Sequence, residues 1–83
     1  MILTYRFQAI NFHTQEIVEK VVVLDFRGIP KHIQDVKFNR KFGAFKRTIL
    51  DPEREWNKKH GIYTNPADYI KFSYIMVCAK GWY

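Results

Sequence analysis

Eighty-three residues and 10.0 kDa make a single domain, 1–83, and exclude a two-domain enzyme, a Rossmann nucleotide binder or any large catalytic scaffold. Hydrophobic residues make up 47% and aromatics 17%, enough for a folded core rather than a disordered tail. Fourteen Lys and Arg against eight Asp and Glu leave a formal charge of +6, which favours nucleic acid, an anionic membrane face or an acidic protein surface as partner.

From the N-terminus, Leu3, Tyr5, Phe7 and Ala9 alternate with Thr4, Arg6 and Gln8. Period two predicts a half-buried strand. Residues 11–16 are a polar break apart from Phe12. Ile17 to Arg27 follows, with Ile17, Val18, Val21, Val22 and Val23 all β-branched. Branched side chains suit a pleated surface, so the segment reads as a second strand in a hairpin with the first. A short helix from Thr14 is the rival, since Ile17, Val18 and Val21 share a helical face. Gly28 and Pro30 end this element.

Phe38, Phe42, Phe45 and Ile49 are spaced four, three and four apart, the apolar stripe of an amphipathic helix. Asp35 is its expected N-cap, and Gly43 lies inside it. Val36, Phe38 and Phe42 also fit an alternating strand. Asp51-Pro52-Glu53 then has the form of a new helix start: a capping carboxylate, a proline for the first turn and an acid beside the positive dipole end. Lys58, Lys59 and His60 suit a last turn, and Gly61 a left-handed exit, which predicts a second helix over 52–60.

Thr64-Asn65-Pro66 reads as a turn. Tyr69 to Ala79 reads as a third strand, with Ile70, Phe72, Tyr74, Met76 and Cys78 on one face and Lys71 and Ser73 on the other. Ile75 and Val77 make the second face apolar as well, which predicts a central strand or one covered on both sides. The fold class expected is α+β: a three-stranded, mostly antiparallel sheet with one or two helices on one face, in the order β-β-α-α-β. So small a core suggests support from dimerisation or a partner.

Residues 37–47 carry the most chemical information. Five cations, Lys37, Arg40, Lys41, Lys46 and Arg47, alternate with Phe38, Phe42 and Phe45, and no acid occurs between Asp35 and Asp51. Phosphates need positive charge and N–H donors, and unpaired bases reward aromatic faces. On a helix the phenylalanines turn inward and the cations project outward, which leaves a basic face able to track a backbone. Lys58 and Lys59 are expected as outer contacts, although a helix C-terminus favours cations on its own account. The first expectation is a non-catalytic nucleic-acid-binding domain of low sequence specificity, for DNA or RNA, because no base-reading motif is present. The alternative is a protein-interaction module, a homodimer or an inhibitor docking on an acidic target, anchored by Trp56, Trp82 and Tyr83. A peripheral membrane contact through the phenylalanine stripe and basic face competes with burial of that stripe.

No catalytic, metal or cofactor site is expected. His13, His32 and His60 lack zinc-ligand spacing, and the acids Asp51, Glu53 and Glu55 are accounted for by a helix start. His60, Tyr63, Arg54 and Lys59 contain the side-chain types of a small ribonuclease, but their spacing singles out nothing. Cys78, the sole cysteine, is expected as a buried, inert thiol and excludes an intrachain disulfide. An intracellular, cytoplasmic location is expected from that cysteine usage. Neither a signal peptide nor a transmembrane segment is expected, since the apolar runs fall far short of about 20 residues.

Overall fold

The computed structural model describes residues 1–80. Three strands, β1 (Ile2–Asn11), β2 (Ile17–Asp25) and β3 (Ile70–Lys80), form one antiparallel sheet in the order β2-β1-β3. One α-helix, α1 (Lys31–Lys59), followed by a short 3-10 turn (Pro66–Asp68), links β2 to β3. The α+β class, the hairpin and the three-stranded sheet follow the sequence reading, and the helical alternative for residues 17–23 is excluded.

β1 is the central strand, and its two faces differ in the sense that a two-layer fold needs. Leu3, Phe7, Ala9 and Asn11 are buried beneath the helix, while Arg6 projects from the other face into solvent. Phe7, with no exposed surface, has the rings of Phe42, Phe38 and Phe45 at 4.9, 5.7 and 5.7 Å. The helical stripe read from the spacing is thus the helix side of the core. Leu3, Leu24 and Phe26 form a second buried cluster at the other end of the hairpin.

Three features depart from expectation. The helix is continuous over 29 residues, with Pro52 inside it and neither Asp35 nor Asp51 capping. Its N-cap position is Pro30, without a side-chain cap. Asp51-Pro52-Glu53 resembles a start, yet no glycine or other stop signal separates Ile49 from Pro52, so nothing ends the preceding helix. An internal proline costs ~3 kcal/mol. Contacts beyond it hold the last turns in place: Asn57 is buried and its Nδ2 donates to the Tyr69 hydroxyl oxygen at 2.8 Å, and that hydroxyl donates to Glu53. The exit does follow expectation. Gly61 has φ +68°, the Ile62 N–H donates to the Asn57 carbonyl at 2.8 Å, and the Gly61 N–H donates to the Lys58 carbonyl at 3.3 Å.

The second departure is that β3 is an edge strand rather than a central or doubly covered one. Its run Tyr74, Ile75, Met76 and Val77 is more than half exposed throughout. The third concerns Cys78. A bulge shifts the register from Tyr5↔Met76 to Thr4↔Cys78, which moves Cys78 off the face shared by Phe72 and Tyr74. Opposed residues share a face, so Cys78 lies with Thr4 on the outer side and is half-buried rather than buried.

With one helix on one side, the outer sheet face has no cover among the described residues. Val21, Val23 and Ile75 on it are each about 60% exposed. The dimensions, 53 × 22 × 15 Å, are those of two layers and a long helix, and the radius of gyration of 15.5 Å exceeds the about 12 Å of a close-packed chain this long.

The end of β2 is tied off locally. Arg27 donates to both Asp25 carboxylate oxygens, at 2.9 Å from Nε to Oδ1 and 2.6 Å from Nη2 to Oδ2, and its backbone N–H donates to Oδ1 at 3.0 Å. These hydrogen bonds hold the Asp25 carboxyl down at about 2. A depressed carboxylate contributes stability above its ordinary value, and that contribution is lost as pH falls toward 2. Both groups are exposed, so the effect on global stability is small. The expected result is an Asp25 side-chain NMR titration with a midpoint near 2 that returns close to 3.8 in Arg27→Ala.

Candidate nucleic-acid interface and an adjoining cleft

Helix geometry sorts the cations. With Phe38, Phe42 and Phe45 turned to the sheet, Arg40 and Arg47, seven residues apart, emerge on the opposite side of α1. Lys37 and Lys41 flank Arg40 at i−3 and i+1. These three line a shallow hollow with Val23, Leu24 and Asp25 of β2. All four cations are exposed. Lys46 departs from this group: its ammonium lies 4.6 Å from the Phe42 ring centre and 5.9 Å from that of Phe72, over the β3 side of the core. Lys58 and Lys59 are exposed in the last turn, where they complement the dipole. Arg54 is engaged by Asp51 at 3.4 Å. Only Arg27–Asp25 joins it as an ion pair among the described residues, so the expected phosphate-binding cations carry no such neutralisation.

At the C-terminal end of the same helix the fold assembles a cleft of about 660 Å³. Four segments converge on it. The β1–β2 turn is built by Asn11, whose side-chain oxygen accepts from the backbone N–H groups of His13 and Thr14 at 2.9 and 3.2 Å. Gln15 takes a left-handed φ of 64° to complete that turn. The Phe12 N–H donates to the Tyr69 carbonyl at 2.9 Å, which fixes the turn against the start of β3. His13 therefore stacks on Tyr69, with centroids 4.1 Å apart and planes within 11°.

The helix supplies Pro52, Glu53, Trp56 and Asn57 to the cleft, and the following loop adds Ile62 and Thr64. Tyr69 is 7% exposed, and burial is the main cause that pushes its hydroxyl above the ordinary phenolic value. It stays protonated and donates to Glu53 Oε1 at 2.8 Å, while Asn57 Nδ2 donates to the Tyr69 oxygen, also at 2.8 Å. Trp56 is 52% exposed and stacks on His60 at 4.0 Å.

The sequence reading named Trp56 as a partner anchor, and none of His13, Glu53, Asn57 and Tyr69 as a site residue. No local signal joins them, because they come from a turn, a helix and a strand start. Among the ribonuclease candidates, Arg54 and Tyr63 share a shallow groove with Lys58, whereas His60 Nδ1 is 2.8 Å from the Trp56 carbonyl. Trp82 and Tyr83 lie outside the described residues. Among the described residues no cluster of three or more His, Cys, Asp or Glu could hold a metal, and no helix is long and apolar enough to cross a membrane. Comparison with protein-family models, curated proteins and solved structures gives no match.

Proposed function

We propose that this chain is a small nucleic-acid-binding protein, without catalytic activity, that holds the phosphate backbone on the outer side of α1. The observation that carries the reading is the exposure of Arg40 and Arg47 on the outer side of α1 and of Lys37 and Lys41 on its β2 flank, with the phenylalanine side committed to the core and no acid between Asp35 and Asp51. Unneutralised cations at helical spacing release condensed counterions when phosphates replace them, and the gain does not depend on base sequence. Lys58 and Lys59 extend the charge beyond the acidic stretch at 51–55, and Lys46 contributes from the β3 side. Its stem already covers Phe42, so its removal costs packing as well as charge.

The experiment is fluorescence-anisotropy titration of labelled single-stranded DNA, duplex DNA and single-stranded RNA at low and physiological salt. Saturable binding that persists at physiological salt is the expected result. Binding confined to low salt would reduce the stripe to generic attraction by a +6 protein.

A second reading, a protein-interaction module formed by a homodimer, is favoured by β3. Eight residues from Phe72 to Ala79 carry no charge, on an edge strand with exposed apolar side chains facing both ways. Edges are ordinarily blunted by charge, as β2 is by Glu19 and Lys20. Antiparallel pairing of β3 with its own copy would extend the sheet across a two-fold axis and share its hydrogen bonds equally. Expected is a dimer in sedimentation equilibrium that becomes monomeric in Ile75→Lys. A monomer for the parent protein at about 100 μM, where standard interfaces of ~1,600 Å² are populated, would remove this reading.

A further inference from the structure

We infer that the cleft at the C-terminal end of α1 is a base-reading subsite for an unpaired guanine. This rests on the proposed backbone-binding role and adds to it a base preference that phosphate contacts cannot supply. The cleft's volume of about 660 Å³ is within the usual range for small-ligand sites, ~300–1,000 Å³, and leaves room for a base with its sugar. Its surfaces suit a flat ring. Trp56 offers a half-exposed indole already stiffened by stacking on His60, and His13, which also lines the cleft, lies flat on Tyr69. Base–aromatic stacking holds any base.

Selection comes from Glu53. Its carboxylate lines the cleft, and it is oriented by the hydroxyl of Tyr69, a nearly buried residue that is in turn held by Asn57. An ionised carboxylate only accepts hydrogen bonds, and Glu53 has lone pairs left after the one from Tyr69. It therefore suits a base edge with two adjacent N–H donors. Guanine has such an edge, N1–H beside the N2 amino group. Adenine and cytosine set a ring-nitrogen acceptor next to their amino group, and uracil and thymine flank a single N–H with two carbonyls. Each of those would place an acceptor against the carboxylate. The negative charge also keeps phosphate out of the cleft, so the ligand enters base-first. Lys58, exposed on the next turn beside the neighbouring groove, is placed for the phosphate. The guanine edge must be free of a Watson–Crick partner, which restricts the ligand to single strands, loops or ends.

The test compares nine-residue oligothymidylates that carry one central guanine, adenine or thymine, by competition anisotropy. The guanine strand is expected to bind about tenfold tighter than the other two, the size of one charge-assisted hydrogen-bond pair. Glu53→Gln keeps an oxygen for Tyr69 but sets an amide N–H₂ against the base. It is expected to reduce the preference to less than about twofold, while the affinity for all three strands rises modestly with the loss of one negative charge. Trp56→Ala, at an exposed position, is expected to weaken the guanine strand about tenfold without loss of fold.

Equal binding of the three strands by the parent protein, or a preference that survives Glu53→Gln, would overturn the inference and leave the helix stripe standing. Should no strand bind, the stripe reading fails, and guanosine monophosphate alone decides the cleft. NMR shifts confined to Trp56, Asn57 and Tyr69 would sustain the cleft, and their absence at millimolar nucleotide would overturn it.

Discussion

Reversing two charges, in the double variant Arg40→Glu with Lys41→Glu, is expected to lower nucleic-acid affinity about a hundredfold near physiological salt and to flatten the salt dependence. Each phosphate neutralised contributes about 0.9 to the slope of log affinity against log salt, so loss of two contacts removes about 2. The sites are well chosen for this. Both side chains are exposed, Arg40 on the side of α1 away from the Phe7 core and Lys41 on its β2 flank, and neither takes part in an ion pair among the described residues. The fold has no need of either charge, and an unchanged circular-dichroism melting curve is the control. Lys46→Glu is the informative contrast. That ammonium sits over Phe42, so its reversal disturbs the core margin and lowers thermal stability together with binding. Affinity and slope unchanged in the double variant would remove the stripe as the interface.

Phe7→Ala is the change expected to damage the fold most. Among the described residues Phe7 is the one large side chain with no exposure, at the middle of the central strand, and it meets three phenylalanine rings of α1. Truncating a phenylalanine in such a site costs about 3–5 kcal/mol in lost transfer energy and residual cavity. A chain of this length has about 4–12 kcal/mol in all. The expected outcome is a fall in melting temperature of about 15 °C or more, or no cooperative transition at all, by circular dichroism. Phe12→Ala supplies the comparison. It removes the same side chain from the β1–β2 turn, where the ring is 59% exposed, and should stay within about 0.5 kcal/mol of the parent. Equal losses in the two variants would mean that α1 does not pack on β1 as described.

Much of the fold was legible because its signals are short in range. Alternation over residues 3–9 placed β1 and its buried face, β-branching over 17–23 placed β2, and four-three-four spacing placed the helix stripe against the sheet. The left-handed exit at Gly61 was read from one glycine after three basic or imidazole side chains. Continuity of the helix through Pro52 was not legible. Asp51-Pro52-Glu53 is the same three letters whether a helix begins there or passes through, and the difference lies in what the following turns pack against. Asn57 on Tyr69 supplies that packing from twelve residues away.

The basic stripe was likewise visible in outline. Its division was not, since the placement of Lys46 over Phe42 and Phe72 depends on β3 lying beside the helix. The position of β3 escaped for a related reason. An apolar strand of period one reads as central, because burial on both faces is the common cause of such a pattern. Here the same pattern belongs to an edge.

By itself, then, the amino-acid order determined the local states: the β1–β2 hairpin, the apolar face of β1, and a phenylalanine stripe interleaved with a run of cations without acids. Backbone sterics and side-chain periodicity act over a few residues, and the chain states them directly. Tertiary structure alone decided that β1 is central, that a bulge turns Cys78 outward, and that His13, Glu53, Trp56, Asn57 and Tyr69 meet in one cleft. Those outcomes depend on how β3 returns beside β1 once α1 has crossed the sheet, and contacts between residues 13 and 69 leave no periodic trace in either segment.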